Sequence, residues 1–295
     1  MLLRTPEGEP VDPMLSRRTA LASLFFAGYA LGAGPASAEA ITTDAAGLIV
    51  EEVTFRAAHG YHLPGYLARP AAEGRHPVVI VVNEIFGIHA YIKDICRRLA
   101  KQGYVALAPD YFDRAGDPAP MTDIAQIRPL VAAATYGQVM DDTDAAVRFL
   151  KGKRFVDRTE FAITGFCWGG AVVWMAAARN RAFKAGTAWY GRLVPPEPGA
   201  FGAEEGRPWP VNVAGKLRCP VLGLYGSEDR GIPPESVEAM RAALAAAGNP
   251  SNSDIVVFQG AQHGFHADYR PSYKADAAAD GWARMLAWFR ANGVG

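Results

Sequence analysis

Short apolar runs alternate with segments of helical periodicity through the central part of the chain. Pro77–Val82 is a continuous run of mainly β-branched residues, which is typical of a strand covered on both faces. Ile88–Gln102 then repeats its apolar positions with the helical period and ends at Gly103. This β–α alternation continues to the C-terminus, and it predicts a doubly wound, mostly parallel sheet with helices on both faces. The other predicted strands are Tyr104–Ala108, Phe161–Phe166, Lys184–Tyr190, Pro220–Tyr225 and Ile255–Phe258, and the other predicted helices are Gln138–Lys151, Pro234–Ala247 and approximately Tyr273–Ala291.

Three segments depart from this alternation. Glu51–Ala57 and Leu63–Arg69 alternate apolar and polar residues on either side of Gly60, which predicts an antiparallel hairpin at the edge of the sheet. Tyr111–Tyr136 is rich in Pro, Gly and Asp, and we expect a long insertion of the kind that often covers a substrate site. Gly199–Asn212 predicts a surface loop.

Residues 1–38 have the pattern of an export signal. Arg17 and Arg18 form a twin-arginine pair, Ala20–Ala33 is a short apolar stretch, and Ala36–Ala38 is a small-x-small cleavage site. The apolar stretch is shorter than the roughly 20 residues that a membrane-spanning helix needs. We therefore expect cleavage after Ala38, export of the folded protein to the periplasm, and no stable membrane insertion afterwards.

The remaining residues, 39–295, have the length of a single large α/β domain. Lys and Arg total 30, Asp and Glu total 30, and the formal net charge is zero. A balanced charge gives no reason to expect nucleic acid or an anionic membrane surface as a partner. The pattern leaves the oligomeric state open.

The segment from Phe161 to Gly170 holds the strongest chemical signal in the chain. A predicted strand ends at Phe166, Cys167 follows, and an apolar helix begins directly afterwards. Gly165 and Gly169 flank the cysteine at two residues on either side, which leaves room for a strained strand-to-helix elbow. The positive end of the helix dipole would favour a thiolate and a developing oxyanion. Cys167 is the candidate nucleophile, and the alternative is a small buried core residue.

A cysteine nucleophile needs a base and a group that orients the base, and in sheet-top hydrolases these follow the nucleophile in the order acid, histidine. Asp229 follows the predicted strand Pro220–Tyr225, and His263 follows the next strand. Glu228 is an alternative acid and His266 is an alternative base. The other four histidines lie in predicted turns or surface segments: His59, His62, His76 and His89.

A second acidic position follows the first buried strand. Asn83 and Glu84 begin a turn that continues to Gly87, and we expect this turn at the same sheet edge as Cys167. The prediction is that Glu84 faces the thiol. The backbone amides of Ile85 and Trp168 would then form an oxyanion hole, one from each side of the cleft.

Three cysteines in an exported protein leave at least one free thiol, unless one pairs between molecules. Cys96 and Cys219 have the character of core positions, and a disulfide between them is an alternative that would leave Cys167 free. Zinc is a further alternative, because His59 with His62, and His263 with His266, have suitable spacing. Neither pair has a convincing third ligand, so we expect no metal.

Together these motifs resemble the dienelactone hydrolase family, whose members are α/β-hydrolases with a cysteine nucleophile. The resemblance runs from about residue 50 to the end of the chain. It implies a hydrolase that cleaves a lactone or carboxylic ester, as a carboxymethylenebutenolidase does, through a thioester acyl-enzyme. It also implies that no metal or organic cofactor is needed. It assigns Cys167 as nucleophile, His263 as base and Asp229 as orienting acid. It assigns Glu84 as the group that holds or deprotonates the thiol.

The sequence departs from the family pattern at one position. Members that act on dienelactone usually carry an arginine four residues after the histidine, where this chain has Ala267. Arg270 and Arg128 are candidates for binding a substrate carboxylate instead. Tyr111 and Trp189, at the ends of predicted strands, are candidate pocket residues.

Two other classes of function remain as alternatives at this stage. An exported thiol redox or sensor protein also needs an exposed, reactive cysteine, although no second cysteine lies near Cys167 in the sequence. A ligand-binding protein on a non-catalytic hydrolase scaffold is the other alternative. The predicted partner in each case is a small molecule.

Overall fold

The computed structural model describes residues 41–197 and 207–295, so the predicted signal peptide lies outside the described residues. The described strands are β1 Leu48–Arg56, β2 His62–Pro70, β3 His76–Val82, β4 Val105–Pro109, β5 Val156–Phe166, β6 Phe183–Trp189, β7 Val221–Gly226 and β8 Asp254–Phe258. The described helices are α1 Ala90–Lys101, α2 Ile124–Ala133, α3 Tyr136–Lys151, α4 Trp168–Arg179, α5 Pro210–Val213, α6 Pro234–Ala246 and α7 Ala275–Ala291.

These strands form one sheet in the order β1-β2-β4-β3-β5-β6-β7-β8. The strands β3 to β8 run parallel to one another, while β2 pairs antiparallel with both β1 and β4. The predicted mostly parallel sheet is therefore confirmed, and so is the predicted edge hairpin. Leu48 pairs with Pro70 at one end of that hairpin, and Arg56 pairs with His62 at the turn.

The sheet is covered by helices on both faces. Gly186 and Trp189 are three residues apart on β6, so their Cα–Cβ directions point to opposite faces. A Cβ at Gly186 would lie 3.0 Å from Val173 of α4, whereas the Trp189 ring packs against Gly281 of α7. Helices α4 and α7 consequently sandwich the centre of the sheet. Residues 78–82 of β3 are fully buried, as their continuous apolar run predicts.

The predicted insertion Tyr111–Tyr136 contains a helix that the sequence pattern did not indicate. Helix α2 begins after Asp123, whose side chain accepts a hydrogen bond from the Ala125 amide at 2.8 Å. Pro129 lies inside this helix, where proline removes a backbone donor and normally ends a helix. Because Pro129 and the surrounding Pro and Gly are typical of loops, the composition of the segment did not indicate a helix.

The second predicted loop, Gly199–Asn212, is described only from residue 207 onward, and α5 begins within it at Pro210. All three cysteines are buried free thiols, so the structure contains no Cys96–Cys219 disulfide. In the described ranges, no helix combines the length and the apolar character that crossing a bilayer requires.

Candidate active site

Cys167 occupies a sharp turn between β5 and α4. Its backbone has φ 55° and ψ −117°, a conformation that costs a non-glycine residue energy and that recurs at functional sites. A Cβ at Gly165 would lie 2.4 Å from the carbonyl oxygen of Gly169, so the turn leaves no room for a side chain at residue 165. The predicted elbow is therefore present, with Cys167 at its apex.

Backbone hydrogen bonds fix the elbow. The Cys167 amide donates to the Trp189 carbonyl at 3.0 Å, and the Gly170 amide donates to the Cys167 carbonyl at 3.0 Å. Trp168 is the first residue of α4, and an amide in the first turn of a helix has no acceptor within the helix. The positive end of α4 thus lies directly beside the sulfur.

The end of β3 approaches the elbow closely. A Cβ at Gly169 would lie 2.5 Å from the Val82 carbonyl oxygen and 2.6 Å from that of Asn83. The next turn carries Ile85 and is closed by a hydrogen bond from the Gly87 amide to the Glu84 carbonyl at 3.2 Å. The turn that carries Ile85 therefore lies beside the start of α4, and the oxyanion hole of Ile85 and Trp168 stays a prediction.

Asp229 and His263 are joined by a buried hydrogen bond. His263 Nδ1 donates to Asp229 Oδ2 at 2.8 Å, and the amides of Gly231 and Ile232 donate to Asp229 Oδ1 at 2.8 and 3.0 Å. Asp229 is 2 % exposed, whereas the neighbouring Glu228 is exposed. The alternative acid, Glu228, is thus directed toward solvent while Asp229 holds the imidazole.

The environment of His263 favours its protonated form. Burial by itself would lower the pKa of His263, but the Asp229 carboxylate and the Cys167 sulfur more than offset burial and raise this pKa to about 10. The Cys167 sulfur therefore lies close enough to the imidazole to affect its protonation. Cys167, His263 and Asp229 are accordingly brought together, in that order.

His266 belongs to a different environment. Its Nδ1 atom lies 2.6 Å from the Tyr91 hydroxyl, and its ring stacks on Trp282. Burial lowers the pKa of His266 to about 3, with a smaller contribution from Arg98. His266 is therefore a neutral core residue, and this corrects its status as an alternative base. Nowhere in the described ranges do three or more His, Cys, Asp or Glu side chains cluster as metal ligands would.

Glu84 is held by Arg270, Tyr269 and His89, and its approach to the Cys167 thiol stays a prediction. The side chain is completely buried, and its Oε1 atom accepts a hydrogen bond from Arg270 Nη2 at 3.0 Å. Its Oε2 atom accepts from the Tyr269 hydroxyl at 2.6 Å and from His89 Nε2 at 3.3 Å. Burial would raise the pKa of Glu84, but the Arg270 charge and the other donors lower it to about 2. The carboxylate is therefore saturated by donors other than sulfur.

Arg270 is almost entirely buried, with 1 % of its side chain exposed. Its guanidinium fits against Gly264, where a Cβ would lie 3.2 Å from Nη1 and 3.4 Å from the hydroxyl of Ser272. Both Nη1 and the Ser272 hydroxyl are buried and have no hydrogen-bond partner among the described residues. Burial would lower the pKa of Arg270, but Glu84, Tyr269 and the nearby Cys167 sulfur raise it. A second cation thus lies near the sulfur.

The remaining predicted binding residues occupy varied positions. Tyr111 is fully buried, and its hydroxyl is hydrogen-bonded to Thr143 at 2.8 Å. Trp189 is fully buried, and its Nε1 atom donates to the Thr164 hydroxyl at 3.2 Å. Arg128 is half-buried on α2, and burial lowers its pKa. Contact of these three residues with substrate stays a prediction, and Trp189 also supports the elbow through its carbonyl.

Sequence reasoning missed three residues of this site. Tyr190 is buried with φ 38°, and its ring lies edge-on to His263 with the centroids 5.2 Å apart. Tyr269 and His89 both bind Glu84. Proximity to Glu84 and Arg270 in the sequence could have indicated His89 and Tyr269. The left-handed backbone of Tyr190 has no sequence signal.

The order of strands in the sheet and the strand-to-helix elbow at Cys167 are those of the α/β-hydrolase fold. The sequence model of the Dienelactone hydrolase family matches residues 63–293. The chain belongs to this family, which confirms the resemblance noted in the sequence.

Individual relatives agree with this assignment. A Methylorubrum extorquens protein with the provisional name carboxymethylenebutenolidase is 49% identical over 282 residues, covering 95% of this chain and 94% of its own length. A Yersinia pestis protein with the same provisional name is 48% identical over 237 residues, covering 80% of this chain and 86% of its own. A solved structure from Klebsiella pneumoniae, provisionally named a dienelactone hydrolase, is 44% identical with a TM-score of 0.76, and the match covers 82% of this chain and 98% of that one. The chain is thus an enzyme, a dienelactone hydrolase-like hydrolase.

Proposed function

We propose that the protein hydrolyses a lactone or carboxylic ester through a Cys-Asp-His triad and a thioester intermediate. One observation carries the proposal: Cys167 stands at a strained elbow beside His263, which is itself hydrogen-bonded to Asp229 at 2.8 Å. The nucleophile, the base and the orienting acid of acyl transfer have this arrangement.

The first half of the reaction acylates the sulfur. The Cys167 thiolate attacks the carbonyl carbon, a C–S bond forms, and the carbonyl electron pair moves to the oxygen. The amides of Ile85 and Trp168 stabilise this oxyanion, and such a donor pair contributes several kcal/mol. The C–O bond to the leaving group then breaks, and the leaving oxygen takes the proton of His263.

The second half hydrolyses the thioester. His263, now neutral, removes a proton from water, and the water oxygen attacks the thioester carbonyl. The C–S bond breaks, the thiolate returns beside the imidazolium, and the product carboxylic acid ionises at neutral pH. Asp229 holds the imidazole in one orientation through both halves.

Arg270 and Ser272 are the proposed contacts for an anionic group of the substrate. The buried Arg270 Nη1 atom and the buried Ser272 hydroxyl both lie beside Gly264, 3.2 and 3.4 Å from where its Cβ would be, and neither has a hydrogen-bond partner among the described residues. A carboxylate would satisfy both donors. In this proposal Arg270 replaces the arginine that other family members carry at the position of Ala267. Glu84 holds Arg270 until the substrate arrives.

The thiol-sensor alternative is not favoured. Burial raises the pKa of Cys219 to about 12 and raises that of Cys96 further, so both thiols stay protonated and unreactive. A sensor of the usual kind needs a resolving thiol. The non-catalytic binding alternative is also not favoured, because the relatives and the family are hydrolases.

We further propose that residues 1–38 direct the protein to the periplasm by the twin-arginine route and are removed after Ala38. The basis is the sequence pattern of Arg17, Arg18 and Ala20–Ala38 alone. N-terminal sequencing of the protein from a periplasmic extract tests this: a mature chain beginning at Glu39 is expected. A chain in the cytoplasm that retains Arg17 would contradict it.

The enzymatic proposal is tested with a panel of small lactones and 4-nitrophenyl esters. The wild type is expected to turn over at least one of them, Cys167→Ser is expected to lower the rate by orders of magnitude, and Cys167→Ala is expected to abolish it. Equal unfolding temperatures for the three proteins would exclude a folding effect. Full activity of Cys167→Ala would overturn the proposal.

A further inference from the structure

His89 is a hydrogen-bond partner of Glu84, and the proposed mechanism does not use it. It directly precedes α1, and its Nε2 atom lies 3.3 Å from Glu84 Oε2. The side chain of His89 is 15% exposed, whereas that of Glu84 is not exposed at all. His89 therefore connects a completely buried carboxylate with solvent.

The rings around His89 hold its imidazole in place. The Tyr269 ring lies edge-on to it with the centroids 5.1 Å apart, Phe86 lies edge-on at 6.0 Å, and Tyr91 stacks at 5.9 Å. The titratable and charged groups that face His89 are Glu84 from the turn after β3, Tyr91 from α1, and Tyr269 with Arg270 from the segment after β8. Glu84 is the one carboxylate among these groups, so it is the group with which His89 can form an ion pair.

The charge balance of this cluster changes when an anionic substrate binds. In the free protein the charge of Glu84 is balanced by Arg270. A substrate carboxylate at Arg270 would add a second negative charge and leave one of the two buried carboxylates uncompensated. An uncompensated buried charge is strongly unfavourable, so a second cation has to appear or a proton has to bind.

We infer that His89 is a positioning residue that takes up a proton from solvent when an anionic substrate engages Arg270. The imidazolium then replaces Arg270 as the counter-ion of Glu84 and holds this carboxylate while the guanidinium binds substrate. The proton returns to solvent when the anionic product leaves. This inference rests on the proposed function, and it adds a pH-dependent preference for substrates that carry a carboxylate.

The experiment compares two esters that differ in charge: the mono-4-nitrophenyl ester of succinic acid and the same ester with its free carboxyl methylated. For the wild type, the KM for the anionic ester divided by the KM for the neutral ester is expected to rise with pH. The rise approaches about tenfold per pH unit where binding of the anionic ester takes up one proton. His89→Gln, which keeps a hydrogen-bond donor without a titratable charge, is expected to raise the anionic KM and to flatten this ratio. With the neutral ester, the variant is expected to change kcat and KM less than with the anionic ester, and by the same factor at every pH.

His62→Gln is the matched control, because His62 is exposed at the start of β2. It is expected to behave as the wild type with both esters. A wild-type ratio that does not change with pH would overturn the inference. So would a ratio that stays pH-dependent in His89→Gln, or an equal loss with both esters in that variant.

A binding measurement separates this inference from the proposed function. Glutarate is titrated into Cys167→Ala in two buffers with different ionisation enthalpies, so proton uptake is measured without turnover. Proton uptake on glutarate binding that disappears when His89→Gln is added to Cys167→Ala supports the inference, even if neither ester is hydrolysed. Glutarate binding without uptake contradicts it even if both esters are hydrolysed. Absence of glutarate binding to Cys167→Ala contradicts the inference and leaves the ester results to decide the proposed function.

Discussion

Glu84 and Arg270 form a buried ion pair with 3.0 Å between Oε1 and Nη2, although 186 residues separate them in the sequence. The pair links the turn after β3 with the segment after β8, and these flank the elbow of Cys167. Because the guanidinium lies near both the carboxylate and the sulfur, its charge affects the stability of the fold and the reactivity of the thiol.

Replacement of Glu84 by Gln is expected to destabilise the protein by about 3–5 kcal/mol, because it leaves the buried Arg270 without a counter-ion. Urea unfolding at pH 7 measures this change. Glu52→Gln is the matched control, since the pair of Glu52 and Lys93 is exposed and such pairs contribute about 1 kcal/mol or less. Equal effects of the two substitutions would contradict the importance of the buried pair.

The double variant Glu84→Gln with Arg270→Met removes both charges together. It is expected to recover a substantial part of the stability that Glu84→Gln loses, because no uncompensated charge remains. Additive losses in the double-mutant cycle would show that the two side chains act independently.

Gly169→Ala is expected to destabilise the protein by about 2 kcal/mol or more and to remove hydrolytic activity. The added methyl group would lie 2.5 Å from the Val82 carbonyl oxygen and would force the elbow away from β3. Thermal unfolding and ester hydrolysis measure the two effects. Gly137→Ala is the control: it lies in α3 with open space around it, so it is expected to be neutral or stabilising by up to about 1 kcal/mol.

His266 is expected to make the fold sensitive to acid. Its pKa is about 3 in the folded protein and 6.5 in its ordinary state, so the unfolded chain binds more protons between these values and stability falls as pH decreases from 6.5. Between pH 7 and pH 5 this contributes a loss of about 2 kcal/mol. Urea unfolding of His266→Gln at the two pH values is expected to lack this loss. An identical pH dependence in the wild type and the variant would contradict the assignment.

The local sequence was sufficient to predict the strands, the elbow and the order of the three principal side chains. Apolar runs such as that of β3 are fixed by burial on both faces, and the glycines around Cys167 are needed by the turn itself. The carboxyl ends of parallel strands share one edge, so Asp229 and His263 could be expected near the sulfur.

The contacts of Glu84 could not be predicted in the same way. Whether its carboxylate faces Cys167 or Arg270 depends on side-chain packing between distant segments, which carries no local signal. Helix α2 was missed because Pro129, which lies inside it, is a stronger signal against a helix than the cap residue Asp123 is in favour of one. The left-handed backbone of Tyr190 is likewise imposed by tertiary packing.

Asp229→Asn is expected to lower kcat by about 10³- to 10⁴-fold with the fold intact. The Asp229 charge makes the largest contribution among those that raise the pKa of His263 to about 10, so its loss lowers that pKa, and His263 loses its proton at lower pH. The alkaline limb of kcat/KM is therefore expected to move to lower pH in the variant. An unchanged profile would show that Asp229 does not set the protonation of His263.

The central claim is that the Cys167 sulfur carries the acyl group during turnover. Rapid acid quenching of the wild type with a 4-nitrophenyl ester, followed by peptide mass spectrometry, tests it most directly. The predicted result is the mass of the acyl group on the peptide that contains Cys167. The ratio of acylated peptide to turnover rate is expected to be higher in His263→Gln than in the wild type. An acyl group on another residue, or turnover with no acyl group on Cys167 at any quench time, would contradict the account.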